Sequence, residues 1–579
     1  MRLGSNRRLA NVKTRTETGL EYIFLNLNLQ TPFGKKELKE IKPFFPGEEE
    51  ELRAELDKVE NMMNFAGENS LITENILEVF MEIKDASLTL KRSANNALSV
   101  VELYEIKGLL LQMRQLIRLT RDKEIGDYKG CHCVSECAKD KDDISALANA
   151  SAENKGASVP EEYILEDTED LLDELDPRGD RLSTFYIYDE FSEKLGRLRG
   201  RKRELEVAIR KEQKAGRETL RKEYGIMLTP KFDIVVSRSH QDFDKIANIP
   251  ELERVSEDYV SVTYQLKPND EVFRLMKETE DLNAEIDEEE EIIRKELSEK
   301  IYQSSDRIER NCKKIGELDL ALAKALFAIK RNLVKPVISD EHIVEITEGR
   351  NIQVEDILRG KGKEYHPVSI SLKDGVTLIT GANMGGKTIS LKLSGQVPIL
   401  AQYGFFVGAK EATVGLSNYI QILIGDSQSV ERGLSSFGSE MEELKEILDH
   451  GVDKSLILVD EIASGTNPTE GTALTKSLVD YLLTKPYISL ITTHFETAFD
   501  QNGVVNLQVN GLKNADFMLL NREIQYANRR ERINIISKYM DYRLSRVEKD
   551  SSVPKDALNI AKMLGISQEI IDGAKKYIK

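Results

Sequence analysis

The chain is poor in several features that would assign it to a familiar class of protein. It has 4 Cys in 579 residues, which excludes a disulfide-stapled secreted scaffold and indicates a reducing compartment. No stretch approaches the ~18 uninterrupted apolar residues of a membrane span, and the first residues have no apolar segment behind their charges. With 82 Lys and Arg against 100 Asp and Glu, the chain also lacks the basic excess of proteins that coat nucleic acid. We therefore expect a soluble cytoplasmic protein with no membrane contact, in which any nucleic-acid contact comes from a local basic surface.

The first part of the chain predicts mainly helices. At ~100–200 residues per domain, several domains are expected. Apolar residues recur at three- and four-residue spacing, as at Leu52, Leu56 and Val59, which is typical of amphipathic helices. This pattern breaks over about 122–160, where small residues and weak periodicity indicate an exposed loop or insertion. We predict a helical core over 1–225 that contains this insertion.

A basic segment lies within this acidic chain. The range 194–222 carries 12 Lys and Arg against 4 Glu. Such a run is usually the solvated face of a helix with acidic partners, and that interpretation is favoured. The alternative is a surface for nucleic acid or an acidic partner.

The next region predicts a small β module followed by long helices. The runs Phe232–Ser237 and Tyr259–Tyr264 are rich in β-branched and aromatic residues, which predicts strands within 226–267. The following stretch, 268–336, has no internal proline and carries a near-heptad apolar stripe, so we predict helices that act as a lever or scaffold. A turn near Gly316 would instead make an antiparallel pair of helices.

The pattern changes after about residue 337. The apolar runs Val376–Thr380, Ser455–Val459 and Tyr487–Thr493 alternate with Gly-rich turns and predicted helices. Near-continuous apolar strands that alternate with helices are typical of a buried parallel sheet. We therefore predict an α/β domain over 337–530, with its chemistry at the ends of these strands.

The first of these strands runs directly into the pattern G-x-x-x-x-G-K-[ST]. In a loop of this kind, glycines let backbone N–H groups wrap a phosphate, and the following helix points its positive end at that phosphate. Lys387 can then reach the β- and γ-phosphates, and the Thr388 hydroxyl can bind Mg²⁺. The pattern predicts a site for ATP and Mg²⁺ made of Gly381, Ala382, Asn383, Met384, Gly385, Gly386, Lys387 and Thr388.

Polar side chains also follow the second and third strands. Asp460 and Glu461 come directly after a buried apolar run. A strand-end Asp-Glu pair is often a helix N-cap, but downstream of a phosphate loop the functional interpretation is favoured. We expect Asp460 to hold Mg²⁺, directly or through water, and Glu461 to polarise the attacking water. His494 follows the third strand, and although a lone His is more often a satisfied polar residue, this one is placed to contact that water or the γ-phosphate.

These motifs resemble the MutS family of ATPases, a branch of the ABC-type P-loop group. The similar stretches are Asn383–Lys387 for the P-loop, Asp460–Thr466 for the metal-binding strand and the loop after it, and Thr493-His494 for the switch. In addition, Leu434–Met441 is similar to the family's signature loop, which implies that Ser435 reaches the γ-phosphate bound by the opposite subunit.

The resemblance extends beyond these motifs in both directions. Tyr542-Arg-Leu and Ala557–Ile566 are similar to the family's closing strand and helix-turn-helix region, which implies a homodimer with dimerisation helices over 531–579. Upstream, Thr31–Leu38, Leu175–Asp180 and Ile187–Arg199 are similar to its helical core. The implied fold is an α/β P-loop ATPase domain of the ABC type, preceded by a mainly α-helical core and lever domain with a small, reduced β-containing clamp.

Departures from the family pattern bear on function. The core begins by about residue 20, which leaves no room for the mismatch-reading and connector domains of repair proteins. Ala382 stands where the family usually has Pro, Leu434 where the repair branch has Arg, and Asn559 where that branch has His. The stretch 425–437 is closer to the second bacterial MutS branch, which works in recombination or ribosome rescue. That branch usually ends in a nuclease-like domain, and because this chain ends at Lys579, nuclease activity is not expected.

A cluster of potential metal ligands lies in the predicted insertion. Cys131, His132, Cys133 and Cys137 fall within seven residues. Their spacing is not the C-x₂-C pairing of common structural zinc sites, and adjacent ligands strain a tetrahedral arrangement. Incidental thiols in a loop are favoured over a metal or redox site, and both interpretations stay open.

Two functions follow from the resemblance. The first is a homodimeric ATPase that hydrolyses ATP at composite sites to close a DNA clamp. The alternative is an ATP-driven remodeller of a protein partner, similar to the ATPase subunit of reactivases for cobalamin-dependent aminomutases. The acidic balance fits the second function slightly better.

Overall fold

A computed structural model describes residues 8–121, 159–381, 386–425, 436–463, 466–494, 501–547 and 556–577. Helices dominate the described residues before residue 337, as predicted. In chain order these elements are α1 (Val12–Glu17), α2 (Leu20–Asn26), α3 (Pro32–Glu40), α4 (Glu49–Glu68), α5 (Ser70–Glu82), α6 (Ser87–Ser93), α7 (Val100–Arg121), α8 (Glu169–Leu175), α9 (Glu193–Tyr224), β1 (Asp233–Ser237), α10 (Phe243–Ala247), β2 (Leu252–Glu257), β3 (Ser261–Leu266), α11 (Asp270–Gln303) and α12 (Ser305–Arg331).

Strands and helices alternate in the remainder. The elements are β4 (Val337–Ser339), β5 (Ile343–Gly349), α13 (Ile352–Gly360), β6 (Val368–Lys373), β7 (Gly375–Thr380), α14 (Lys387–Gln402), β8 (Glu411–Gly415), β9 (Tyr419–Ile424), α15 (Ser436–Asp449), β10 (Ser455–Asp460), α16 (Pro468–Leu483), β11 (Tyr487–Thr492), β12 (Val504–Gly511), α17 (Phe517–Gln525), α18 (Arg529–Tyr539), β13 (Asp541–Arg546), α19 (Asp556–Met563) and α20 (Gln568–Lys575).

A six-stranded sheet in the order β13-β12-β7-β11-β10-β9 forms the centre of this region. All neighbours are parallel except β13, which is antiparallel to β12. Every residue of β10 and β11 is buried, because helices cover both faces of a parallel sheet. The three predicted apolar runs correspond to β7, β10 and β11, so their prediction as buried strands is confirmed. A second sheet, β4-β8-β5-β6, lies in the same compact unit.

The chain divides into two compact units. One comprises 1–80, 125–164 and 315–579, and the other comprises 81–124 and 165–314. The N-terminal helices therefore belong with the strands after residue 337, whereas periodicity groups them in a core over 1–225. Thr14 Oγ1 donates to Gln421 Oε1 at 2.8 Å, and Gln396 Nε2 donates to the Thr18 carbonyl at 2.8 Å. Periodicity identifies the buried face of a helix but not the element that covers it.

The predicted domain boundaries, including those of the modules named from the resemblance, stay a prediction.

The long helices over 268–336 break at a different place from the turn considered at Gly316. The break is Ser304, between α11 and α12, and Gly316 lies inside α12. A Cβ on Gly316 would lie 2.9 Å from the backbone carbon and oxygen of Phe33, so this glycine permits close packing of α12 against α3. The turn at Gly316 is therefore wrong, because a glycine can serve close helix packing as well as a turn.

The basic segment is neutralised in part by α11, which packs along α9. Ion pairs join Lys194 to Glu289 at 2.8 Å, Arg199 to Glu290 at 2.7 Å and Arg201 to Glu278 at 2.8 Å. For these three cations, the favoured interpretation of a helix face with acidic partners is confirmed.

The predicted β module is an antiparallel sheet in the order β1-β3-β2. Val236, Val262 and Tyr264 face its small core. Sequence reasoning missed β2, whose residues after Leu252 are exposed and, apart from Val255, polar, as expected for an edge strand. Among the described residues, no helix is long and apolar enough to cross a membrane.

Candidate functional site

Three neighbouring strands end at one edge of the six-stranded sheet. Asp460, the last residue of β10, pairs with Thr492, the last residue of β11. Thr492 in turn pairs with Ile379 near the end of β7. Because parallel strands bring their carboxyl ends to the same edge, the residues that follow β7, β10 and β11 converge there.

The loop after β7 leads into the N-terminus of α14. Gly381 (φ +130°) and Gly386 (φ +82°) adopt backbone conformations that favour glycine, and Ala382, Asn383, Met384 and Gly385 lie outside the described residues. Gly386 is the N-cap of α14 and has no side chain to satisfy the first backbone N–H groups. These donors and the helix dipole make this end of α14 suited to an anion.

Lys387, the first residue of α14, has a buried side chain whose partners at the site include Gly381 and Glu461. Its Nζ donates to the Gly381 carbonyl at 2.7 Å and lies 2.9 Å from Glu461 Oε1. Only 3% of the Lys387 side chain is exposed. A phosphate at the end of α14 would compete with both partners for the same ammonium group.

Asp460 accepts a hydrogen bond on each carboxylate oxygen. Thr388 Oγ1 donates to Oδ2 at 2.7 Å, and Thr492 Oγ1 donates to Oδ1 at 2.5 Å. One carboxylate and one hydroxyl oxygen are the hard donors that Mg²⁺ prefers, and Mg²⁺ usually takes its remaining ligands from water and substrate phosphates. The predicted metal residues, Thr388 and Asp460, therefore fit this ion. No group of three or more His, Cys, Asp or Glu side chains suited to a metal occurs among the described residues.

Glu461 follows Asp460 in a left-handed backbone conformation, with φ +46°. Its N–H donates to both the carbonyl and the hydroxyl oxygen of Thr492, each at 3.1 Å. Such a conformation costs about 1–3 kcal/mol in a residue with a side chain and persists where its surroundings enforce it. The Glu461 side chain is 25% exposed, so a solvent molecule can reach its carboxylate.

The remaining predicted residues are placed less fully. His494 lies two residues beyond β11, at the same sheet edge, and is exposed. Ser435 lies outside the described residues, as do Cys131, His132, Cys133 and Cys137. Cys312 is the remaining cysteine, and burial raises the pKa of its thiol to about 12. It is therefore protonated and unreactive at neutral pH.

A cavity of about 600 Å³ adjoins the start of α14. It is lined by Gly386 to Ile389 and by aromatic residues that include His366 and Tyr542. The two rings stack with centroids 5.1 Å apart and an interplanar angle of 20°. Burial raises the pKa of the Tyr542 phenol, so the ring is neutral. The cavity volume and its aromatic surface suit a nucleoside whose phosphates extend to the helix end.

Sequence reasoning did not identify this cavity or its basic rim. The rim carries three lysines, namely Lys361, Lys363 and Lys538. The cavity residues come from stretches about 170 positions apart, before β6 and around β13, so spacing along the chain carries no signal for it. The only signal was Tyr542-Arg-Leu, whose resemblance indicated a strand and not a binding surface.

Comparisons with known proteins agree with this geometry. Residues 377–579 match the family model of MutS domain V. Endonuclease MutS2 of Clostridium tetani is 35% identical over 310 residues, covering 53% of this chain and 36% of that protein. Endonuclease MutS2 of Clostridium botulinum strain Okra is 37% identical over 220 residues, covering 37% of this chain and 27% of that protein. The chain thus spans about a third of the length of these relatives. The family-model match includes the phosphate loop, Asp460 and Glu461, and together with these relatives it supports a MutS-family ATPase.

Proposed function

We propose that the chain hydrolyses ATP to ADP and phosphate with Mg²⁺. The observation that carries this proposal is the Asp460 carboxylate, held by Thr388 and Thr492 beside Glu461 at the start of α14. Thr388 and Asp460 hold the ion, directly or through water, and Mg²⁺ bound there would neutralise charge on the β- and γ-phosphates. Release of phosphate that requires both ATP and Mg²⁺ tests the proposal, and no release would contradict it.

The protein groups have distinct tasks in this reaction. Lys387 exchanges its contacts with Gly381 and Glu461 for phosphate oxygens, and the N–H groups of α14 bind the same phosphates. Glu461 takes a proton from the attacking water. At the same time the water oxygen forms a bond to the γ-phosphorus, and the bond between the γ-phosphorus and the ADP oxygen breaks. His494 contacts the γ-phosphate or the attacking water. Through this contact it couples loss of the γ-phosphate to movement of the helical levers.

The nucleoside binds in the cavity beside His366 and Tyr542. Replacing Tyr542 with Ala is expected to raise KM for ATP about tenfold, because base–aromatic stacking contributes ~1–3 kcal/mol. Tyr542→Phe keeps the ring and is expected to keep KM within about twofold, since a hydroxyl is not needed for stacking. Phosphate release measured against ATP concentration gives both values. Equal KM values for Tyr542→Ala and wild type would place the base elsewhere.

The active assembly proposed here is a homodimer with composite sites. In it, Ser435 reaches the γ-phosphate bound by the other subunit, as the family resemblance implies. The helices over 531–579 supply the dimer contact. Exposed apolar side chains in α20 and beside it support this role, with Ile570 63% and Tyr577 90% exposed.

The proposed client of this ATPase is DNA, held by a basic stripe on α9. Arg203, Arg210, Lys214, Arg217 and Arg221 fall within about 60° of the helix circumference and extend along about 27 Å of its length. Arg210 and Lys214 form no ion pair with any residue that the structure describes. A row of cations along one helix face matches the phosphate backbone of a nucleic acid.

Charge reversal tests this stripe. The double variant Arg210→Glu/Lys214→Glu is expected to weaken duplex or branched DNA binding about tenfold or more, and to reduce the slope of log affinity against log salt by about 2. Lys91→Glu/Lys277→Glu is the matched control, because it changes the net charge equally at exposed positions outside the stripe. Titration of labelled DNA at several salt concentrations measures both effects. Equal weakening by the two variants would show a response to net charge alone.

A protein client is the second candidate, and the β module supports it. Residues 226–267 hold five Lys and Arg against seven Asp and Glu, so this module lacks the basic excess of a DNA-binding surface. Its β2–β3 turn exposes Tyr259 and Val260, at 102% and 69%. Exposed apolar residues of this kind are typical of protein contacts. No ATPase response to DNA, together with co-purification of an enzyme, would favour the remodeller of a protein partner, such as a cobalamin-dependent aminomutase.

A further inference from the structure

A buried threonine, Thr492, connects the two carboxylates of the site. It ends β11 opposite Asp460 in the parallel ladder and is fully buried. Sequence reasoning placed it at the end of the third strand and assigned it no role. Its hydroxyl nevertheless contacts the side chain of Asp460 and the backbone of Glu461.

The two hydrogen bonds of this hydroxyl have fixed directions. The Glu461 N–H can only donate, and it points to Thr492 Oγ1 at 3.1 Å. The hydroxyl proton is then directed to Asp460 Oδ1, 2.5 Å away, because an ionised carboxylate can only accept. With Thr388 Oγ1 on Oδ2 at 2.7 Å, both oxygens of Asp460 are held, and the plane of its carboxylate is fixed.

The backbone of Glu461 depends on the same residue. Its φ of +46° is uncommon for a residue with a Cβ, so neighbouring contacts must maintain it. The contacts of its N–H are the carbonyl and the hydroxyl of Thr492. Ala463, at φ +59°, is held in turn by its N–H bond to Glu440 Oε1 at 3.2 Å. Loss of the Thr492 hydroxyl would therefore leave the backbone of Glu461, and with it the position of the Glu461 side chain, less constrained.

We propose that Thr492 is a positioning residue for ATP hydrolysis, whose single hydroxyl orients the Asp460 carboxylate toward Mg²⁺ and fixes the backbone of Glu461. This inference rests on the proposed function. Thr492 is buried beside Asp460 on the neighbouring strand, and it acts through these two residues and not through the water or the phosphate.

The test compares Thr492→Val, which keeps the branched shape, with Thr492→Ser, which keeps the hydroxyl. Thr492→Val is expected to lower kcat at least tenfold, since small misplacements at a reacting centre cost up to about 10²-fold. It should raise the Mg²⁺ concentration for half-maximal activity and change KM for ATP less than about threefold, because Lys387 and the nucleoside cavity are untouched. Thr492→Ser should restore kcat to within about threefold of wild type.

Ser489→Ala is the matched control. Ser489 is buried on the same strand, and its hydroxyl has no hydrogen-bond partner among the described residues. This variant should keep the wild-type kcat. If Thr492→Val does not fold, Thr492→Ala replaces it, with circular dichroism used to match the folded fractions.

The possible results separate this inference from the function on which it rests. A wild-type protein that hydrolyses ATP, with Thr492→Val equal to it in kcat and Mg²⁺ dependence, would overturn the positioning role and leave the ATPase standing. A lower melting temperature with unchanged kcat would overturn it equally, because that is the signature of a purely structural threonine. A wild-type protein without Mg²⁺-dependent hydrolysis would overturn the proposed function itself.

Discussion

Replacing Glu461 with Gln is expected to lower kcat for ATP hydrolysis by about 10²–10⁴-fold, the usual contribution of a general base. The amide has nearly the shape of the carboxylate but cannot take a proton from the attacking water. ATP binding should persist, because Lys387, Thr388 and Asp460 are unchanged. Glu461 also lies 2.9 Å from Lys387 Nζ, so its neutralisation removes a competitor for the lysine that binds phosphate. Affinity for ATP should therefore equal or exceed that of wild type.

Two measurements check this prediction. Single-turnover phosphate release reports the chemical step, and equilibrium binding of ATP with Mg²⁺ reports the affinity. Glu470→Gln is the matched control, because Glu470 is an exposed carboxylate on α16 in the same domain. Turnover close to wild type in Glu461→Gln would remove Glu461 from the catalytic role. Loss of binding in the same variant would instead indicate that Glu461 organises the site.

Replacing Asp176 with Leu is expected to destabilise the protein by about 3–5 kcal/mol, because it leaves the ammonium group of Lys107 buried without its counter-charge. Both side chains are 1% exposed, and Lys107 Nζ lies 3.1 Å from Asp176 Oδ1. The remaining partners of the lysine would be the Thr184 carbonyl and the Tyr188 hydroxyl, which are neutral. The pair lies wholly within the compact unit 81–124 and 165–314.

The opposite replacement, Lys107→Met, should cost less, about 1–3 kcal/mol. Asp176 would keep Arg181, whose backbone N–H donates to Oδ2 at 2.8 Å and whose guanidinium lies 3.5 Å from the same oxygen. The double variant Lys107→Met/Asp176→Leu should recover part of the loss, because no buried charge is left unpaired. Urea denaturation followed by circular dichroism measures these differences in a chain that has no Trp. A larger cost for Lys107→Met than for Asp176→Leu would contradict this account.

The pH dependence of this effect follows from the pKa of Asp176. Burial raises the pKa of Asp176. The hydrogen bonds from the Arg181 backbone and from Lys107, together with the positive charges of both residues, lower it by more, so the net shift is downward. A carboxyl group with a lowered folded-state pKa stabilises the protein above its unfolded-state pKa of ~3.9 and loses that contribution as pH falls through the folded-state value. The difference between Lys107→Met and Lys107→Met/Asp176→Leu, which both lack the buried lysine, should thus be equal at pH 5 and pH 8, within the error of denaturation.

The nucleotide site was the part of the molecule most open to prediction. Its loop must surround a phosphate, which restricts Gly381, Gly386, Lys387 and Thr388 to a fixed spacing within one strand-to-helix turn. The apolar run before Asp460 likewise identified a buried strand, because strands covered on both faces of a parallel sheet are mostly apolar. A site can therefore be predicted from the sequence where the residues that bind the ligand lie next to one another along the chain.

Predictions of helical structure were less complete. The stripe over 268–336 correctly predicted long helices, but the break lies at Ser304, and Gly316 instead permits the contact between α12 and α3. In the same way, the charge of the segment 194–222 was evident, whereas its neutralisation by Glu278, Glu289 and Glu290 required the packing of α11 on α9. A charge run identifies a polar surface but not the element that faces it.

The sequence by itself thus determined the identity of the groups that would bind phosphate and metal, because their spacing along the backbone is imposed by the ligand. Only the tertiary structure decided which distant residues complete the site. Thr492 meets Asp460 through the register of two strands, and His366 meets Tyr542 across 176 positions of chain. The physical reason is that a hydrogen bond or a ring stack depends on distance in space, which chain folding sets and local residue pattern does not encode.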